Sequence, residues 1–88
     1  MENTFFTYVL VSQIKGLRFY VGMTSNVKTR IIEHNSGKTK STKGYLPWEL
    51  FFFEKHNSRK DAREREKYLK SGSGKESIKL KWSRSSTG

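Results

Sequence analysis

Residues 5–12 read Phe-Phe-Thr-Tyr-Val-Leu-Val-Ser, a β-branched and aromatic run that predicts a strand. Lys15-Gly16 supplies a turn, and residues 17–23 predict a second strand. The short connection favours an antiparallel hairpin. Alternation along the second run puts Leu17, Phe19, Val21 and Met23 on one face and Arg18, Tyr20 and Gly22 on the other. The first set has the character of core. Tyr20 is therefore expected on a polar face, with its hydroxyl open to solvent or substrate.

The pattern then changes period. Thr24-Ser25-Asn26 is rich in N-capping residues, and a helix is predicted from Val27 to Asn35, ended by Gly37. Val27, Ile31 and His34 share one face of it, and Arg30 lies one turn before His34. Arg30 and His34 thus point in similar directions, near the border of core and solvent. Residues 36–47 mix Gly, Ser, Thr and Lys with the only Pro and read as a loop. Trp48 to Lys55 is apolar on both faces, which predicts a third strand in the middle of the sheet.

Ser58-Arg59-Lys60-Asp61 has capping-box form, with Asp where Glu is more usual, and a helix is predicted to about Lys70. Ala62 and Leu69 are its apolar stripe, and Glu66 lies between them on the same stripe. An acid is thus aimed at the sheet in a chain with few acids. Gly72-Ser73-Gly74 interrupts the pattern. Ser73 to Glu76 predicts the cap of a short last helix through Leu80, with Trp82 packing back onto the body. Residues 83–88 are polar and predict a frayed tail. The chain thus reads as one domain over residues 1–82, with three strands and three helices.

Composition narrows the function. With 88 residues and six Phe, one modest core rich in aromatics is expected. The absence of cysteine removes disulfides, thiolate metal sites and thiol nucleophiles. No apolar run approaches the ~20 residues of a membrane span, and the N-terminus has no signal-peptide pattern, so a soluble cytoplasmic protein is expected. Eighteen Lys and Arg against eight Asp and Glu give a formal charge of +10, a field that attracts polyanions, nucleic acid first among them.

Several chemistries are excluded by spacing. Gly37-Lys38-Thr39 resembles the end of a phosphate-binding P-loop, but Ile32 stands where the first Gly belongs and a helix precedes it. Gly74-Lys75 fails for the same reason, with Leu69 in that place. Two His without Cys make no zinc site, and His56 is expected to face water. No serine or cysteine nucleophile constellation is present.

What remains is a convergence of two tyrosines on neighbouring strands, Arg30 and His34 one turn apart, and inward-facing Glu66. Phosphodiester cleavage needs these kinds of group: a metal-binding carboxylate, a cation for the extra charge on phosphorus, and a base for the attacking water. Tyr8-Val9-Leu10, Tyr20-Val21-Gly22 and Asn26 through Arg30 to His34-Asn35 resemble the opening motifs of the GIY-YIG endonucleases. Pro47-Trp48-Glu49-Leu50 and Ala62-Arg63-Glu64-Arg65-Glu66-Lys67 match the later part of the small single-domain members, which are similar to the N-terminal nuclease domain of the excision-repair endonuclease. The likeness runs from about residue 5 to residue 80. The one departure is the first motif, Phe6-Thr7-Tyr8 in place of Gly-Ile-Tyr.

The resemblance implies an α+β fold, a small three-stranded antiparallel sheet flanked by helices, and a metal-dependent DNA endonuclease acting in repair, recombination or processing, with one divalent metal, Mg2+ or Mn2+. It makes Glu66 the metal ligand and Arg30 the group that stabilises the pentavalent phosphate. Tyr8 and Tyr20 become the paired tyrosines, one of which orients or deprotonates the water, and His34 assists proton transfer or phosphate contact. A phenol with its ordinary pKa of about 10 is a poor base at neutral pH, so Arg30 and the metal are expected to lower it. Lys38, Lys40, Lys43, Arg59, Lys60, Arg63, Lys67 and Lys70 are expected to contact backbone phosphates collectively, which positions the substrate without reading sequence. DNA is the expected partner, with structure-selective or weakly sequence-selective cutting, no membrane and no small organic cofactor. The alternatives are a non-catalytic nucleic-acid-binding module on the same scaffold, and a protein that docks an acidic partner.

Overall fold

The computed structural model describes residues 4–85. Its elements run β1 (Phe5–Ser12), β2 (Arg18–Thr24), α1 (Val27–Asn35), a single 3-10 turn (Lys43–Tyr45), β3 (Glu49–His56), α2 (Arg59–Lys70) and α3 (Gly72–Ser85). The fold is therefore the expected α+β arrangement, a three-stranded antiparallel sheet with helices.

Strand order is β2-β1-β3, so the middle strand is β1 and not β3 as its apolar run suggested. Thr7 through Ser12 are all buried, as befits a strand covered on both faces. The run in β3 has a different cause. Val9 opposes Phe52 and Leu10 opposes Leu50, which leaves Phe51 as an extra residue. This bulge breaks the alternation and turns both Phe51 and Phe52 toward the cluster of Val9, Val21, Leu69 and Ile78. Leu50 and Phe53 stay exposed on the edge strand.

Both faces of the sheet are covered. Tyr8 and Leu10 pack with Trp48, Tyr20, Val27, Ile31, Tyr45 and Leu46 on the α1 side. Val9 and Val21 pack with Leu69 of α2 and Ile78 of α3 on the other. Tyr20 thus lies half-buried among side chains, not on an open polar face as alternation alone implied. Leu17 falls outside β2 and is half exposed, while Phe19 packs against Phe51 and Trp82 as expected for core.

The helix starts follow their capping residues. Asn26 Oδ1 accepts from Thr29 N–H at 3.0 Å, and Ser58 Oγ from Asp61 N–H at 3.1 Å. Gly37 ends α1 with φ 81°, the left-handed conformation that glycine adopts at least cost. The last helix differs from expectation. It is capped by Ser71, whose Oγ accepts from Gly74 N–H at 3.2 Å, and it runs 14 residues to Ser85. Residues 83–85, expected as tail, are helical, and 86–88 lie outside the described residues. His56 also departs from expectation: its Nε2 lies 3.1 Å from the hydroxyl of buried Thr7.

Gly74 sits where α3 turns back against α2. A Cβ there would lie 2.0 Å from the Tyr68 carbonyl oxygen and 2.5 Å from Leu69 Cα, both backbone atoms. Gly74→Ala must push the helices apart. It is expected to destabilise the fold by about 3 kcal/mol, the upper range for overpacking, read from urea unfolding midpoints. An unchanged midpoint would mean the α2–α3 joint gives freely.

Candidate active site

Four of the five residues picked out as catalytic come together on the α1 side of the sheet. β1 delivers Tyr8, which is 1% exposed, and α1 delivers His34, fully buried. Tyr8 Oη and His34 Nε2 are 3.0 Å apart. Arg30 Nε–H donates to Tyr8 Oη at 3.3 Å, so the one-turn spacing of Arg30 and His34 grips a single phenol from two sides. Tyr20 closes the group, with its ring 4.8 Å from the His34 ring and 6.3 Å from the Tyr8 ring.

Gly22 makes this packing possible. It opposes Tyr8 across the β1–β2 ladder, and the phenol lies directly over it. A Cβ at position 22 would stand 2.5 Å from Tyr8 Oη. Only glycine leaves room for the ring on that face.

Arg30 reaches outward as well as inward. Its Nη1 donates to Glu33 Oε1 at 3.0 Å, and it shares a shallow cleft of about 340 Å3 with Lys38. The hydrogen bonds to Tyr8 and then to Glu33 push its pKa further up, so it is a permanent cation. Burial, reinforced by repulsion from Arg30, holds His34 below the ordinary histidine range against a weaker pull from Glu33. His34 is therefore neutral at neutral pH.

The expectation that Arg30 lowers Tyr8 is only half met. The hydrogen bond from Arg30 does favour the phenolate, but desolvation by burial outweighs it, and the Glu66 carboxylate pushes the same way as burial. Tyr8 is thus a neutral phenol with its pKa above the ordinary value, and it does not ionise to solvent near pH 7.

Glu66 comes from α2, the helix whose Leu69 packs on the other face of the sheet. Its carboxylate is 19% exposed, it is paired with Lys70 Nζ at 3.1 Å, and it is near enough for its charge to act on Tyr8. Among the described residues no three His, Cys, Asp or Glu side chains gather into a metal cage. One partly buried carboxylate with a displaceable lysine partner still suits magnesium, which keeps most of its waters and takes one or two carboxylates plus substrate phosphate.

The expected phosphate contacts divide. Lys38, Lys40 and Lys43 are exposed along the loop after α1, and Arg59, Lys60, Arg63 and Lys67 are exposed on α2. Lys70 is engaged with Glu66.

The loop after α1 carries what the sequence pattern did not reveal. Asn35 clamps Trp48, donating to its carbonyl at 2.9 Å and accepting from its N–H at 2.7 Å. Trp48 Nε1–H in turn donates to the carbonyl of Thr42 at 2.8 Å. Thr42 is fully buried with Oγ1 3.0 Å from His34 Nδ1. A lone Thr in a polar loop gives no periodic signal that would mark it.

The neutral buried His34 has a consequence for stability. Its folded pKa lies below its unfolded value near 6.5. The contribution is complete above that pH and is lost as pH falls below it, because the unfolded chain then binds the extra proton. Urea midpoints should drop from pH 7.5 to pH 5.5 in the wild type and drop less in His34→Gln. Equal slopes in the two proteins would remove His34 from the account.

This arrangement, a tyrosine pair bracketed by arginine and histidine with a glutamate approaching from a second helix, is accompanied by a match over nearly the whole chain. The family model described as GIY-YIG catalytic domain matches residues 4–80, and the chain belongs to the GIY-YIG family of nuclease domains. Among its relatives is UPF0213 protein SH2523 of Staphylococcus haemolyticus, 36% identical over 74 residues that cover 83% of this chain and 90% of that one. UPF0213 protein CPE1444 of Clostridium perfringens is 38% identical over 64 residues, covering 72% of this chain and 69% of that one. UPF0213 protein NP_0776A of Natronomonas pharaonis is 38% identical over 65 residues, 73% and 76% respectively. No solved structure matches the chain. No helix among the described residues is long and apolar enough to cross a membrane.

Proposed function

We propose that this protein is a divalent-metal-dependent DNA endonuclease that hydrolyses phosphodiester bonds with structural or weak sequence selectivity, in repair, recombination or processing of DNA. The observation that carries the reading is the double contact at the Tyr8 oxygen. A strand tyrosine that only packed its ring would not need a buried histidine at 3.0 Å and an arginine at 3.3 Å on the same oxygen.

Each residue has a part that follows from its surroundings. Arg30 is a fixed cation with one edge on Tyr8 and the rest facing the Lys38 cleft, which suits it to the charge that builds on a phosphate there. Glu66 would hold the metal, which when bound would acidify a water and polarise the phosphate. Tyr8 orients the attacking water through the face of its oxygen not taken by His34 and Arg30. Should Tyr8 accept the water's proton, its own proton passes to His34 Nε2 and not to solvent, because the phenol is buried. Tyr20 packs the His34 ring in place.

The exposed lysines and arginines of the loop and α2 supply phosphate contacts, so binding should weaken steeply with salt. Cleavage of a labelled panel of single-stranded, duplex, flap and branched DNA, with magnesium or with chelator, tests the reading. Cutting that requires magnesium supports it and identifies the substrate class. No cutting alongside tight, salt-sensitive binding would replace it with the non-catalytic binding module.

A further inference from the structure

We infer that Thr42 is a positioning residue: it holds His34 in the Nδ1–H tautomer, so that His34 Nε2 is free to accept the proton of Tyr8. The inference rests on the reading of Tyr8 and His34 as catalytic, and extends it into the loop.

The polarity follows from the two ends of a hydrogen-bond chain. One end is Arg30 Nε–H, which is only a donor, 3.3 Å from Tyr8 Oη. The other end is the backbone carbonyl of Thr39, which is only an acceptor, 3.4 Å from Thr42 Oγ1. Between them lie Tyr8 Oη to His34 Nε2 at 3.0 Å and His34 Nδ1 to Thr42 Oγ1 at 3.0 Å. A neutral imidazole has one N–H and one lone pair. Thr42 gives its hydroxyl proton to Thr39, so its oxygen accepts from Nδ1–H. Nε2 then carries the lone pair and accepts from Tyr8, whose oxygen accepts from Arg30. Every group in this direction is satisfied.

The reverse direction fails at the Tyr8 end. At the other, Thr42 would donate to Nδ1 and leave the Thr39 carbonyl with its two backbone donors. Nε2–H and Arg30 Nε–H would both donate to Tyr8 Oη, which leaves the phenol proton no protein acceptor and Tyr8 no lone pair with which to take a proton from the water. Tyr8, His34 and Thr42 are all at most 1% exposed, so an unmatched donor here is costly.

The fold also holds Thr42 against movement. Its N–H donates to Thr39 O at 3.1 Å, its carbonyl accepts from Trp48 Nε1 at 2.8 Å, and the Asn35–Trp48 clamp closes the loop on either side of it. Lys43 N–H donates to the same Thr39 carbonyl at 3.0 Å, which fixes that acceptor in place. The hydroxyl of Thr42 is the one part of its side chain that touches the catalytic group. Replacing it by the isosteric Val keeps the shape and removes the hydroxyl, both the acceptor for Nδ1–H and the donor to Thr39.

The test is 15N–1H long-range correlation of the histidine rings at pH 7.5 in wild type, Thr42→Val and Thr42→Ser, with the backbone amide spectrum as a control on folding. Wild type and Thr42→Ser should show the Nδ1–H pattern for His34. Thr42→Val should lose it, turning to Nε2–H or to an exchange-averaged shift, with amides distant from the loop unchanged. Metal-dependent cleavage should fall about 10–100-fold in kcat, with KM kept, and recover in Thr42→Ser. An Nε2–H pattern in wild type, or an unchanged ring in Thr42→Val, overturns the inference. Wild type that binds DNA and never cuts would overturn the proposed function instead, and the tautomer readout would still decide what Thr42 does to His34.

Discussion

Glu66→Ala is expected to lower magnesium-dependent DNA cleavage by about 1000-fold, since a metal ion contributes several kcal/mol of transition-state stabilisation and each 1.4 kcal/mol is tenfold. The argument begins with its position. Glu66 lies between buried Ala62 and Leu69 on the inward stripe of α2, a place where a helix with nine charged residues out of 12 gains nothing from another acid. Its partner Lys70 is half exposed at i+4, and such a pair is worth under ~1 kcal/mol. Removing the carboxylate should therefore leave the thermal midpoint within a few degrees. DNA binding should hold or tighten, because a negative charge near the substrate phosphate disappears. Single-turnover cleavage and anisotropy on the same flap or branched DNA separate these effects. Retention of wild-type cutting would take the metal away from Glu66, and joint loss of cutting and binding would make its role structural.

How much of this was legible in the sequence depended on whether a residue's neighbours were local. The starts of α1 and α2 followed from Asn26 and Ser58, since a cap is a contact within three residues. The convergence of Arg30 and His34 followed from helical geometry, and the motif order supplied Tyr8 and Glu66. Strand order did not follow. Phe51-Phe52 reads as a two-faced strand whether it is central or bulged, and only the register against Val9 and Leu10 tells these apart. Glycine was misleading in a similar way. Gly72 and Gly74 read as a break, yet the turn lies at Ser71, and Gly74 is inside α3 because the Tyr68 backbone leaves no room for a Cβ. Thr42 was invisible because its partners, His34, Thr39 and Trp48, meet only when the loop closes. The balance at Tyr8 was also beyond reach. Which of Arg30's hydrogen bond and burial wins depends on depth in the core, which alternation along β2 misjudges at Tyr20 and Gly22 though not at exposed Arg18.

The same crowded face gives the second large effect, at a residue with no chemistry of its own. Gly22→Ala is expected to slow cleavage about 100-fold, the usual result of displacing a catalytic group by an ångström. The new methyl would meet Tyr8 at Oη, Cζ and Cε1 at 2.5, 2.7 and 3.1 Å. The phenol must yield, because Gly22 is fixed by the ladder that pairs it with Tyr8 itself. Tilting the ring away breaks the contacts at 3.0 Å to His34 and 3.3 Å to Arg30 together, and leaves a buried hydroxyl short of partners. Stability should fall by about 1–3 kcal/mol, the cost of an overpacked site that relaxes by moving one side chain. Tyr8→Phe provides the comparison, since it removes the hydroxyl without touching the strand. If Gly22 acts only by seating Tyr8, then Tyr8→Phe and Gly22→Ala with Tyr8→Phe should cleave at nearly the same low rate. A further large loss in the double variant would mean that the methyl acts elsewhere, on Tyr20 or on the path of the β2 backbone. Wild-type cleavage in Gly22→Ala would show that the seat of Tyr8 is softer than its buried contacts imply.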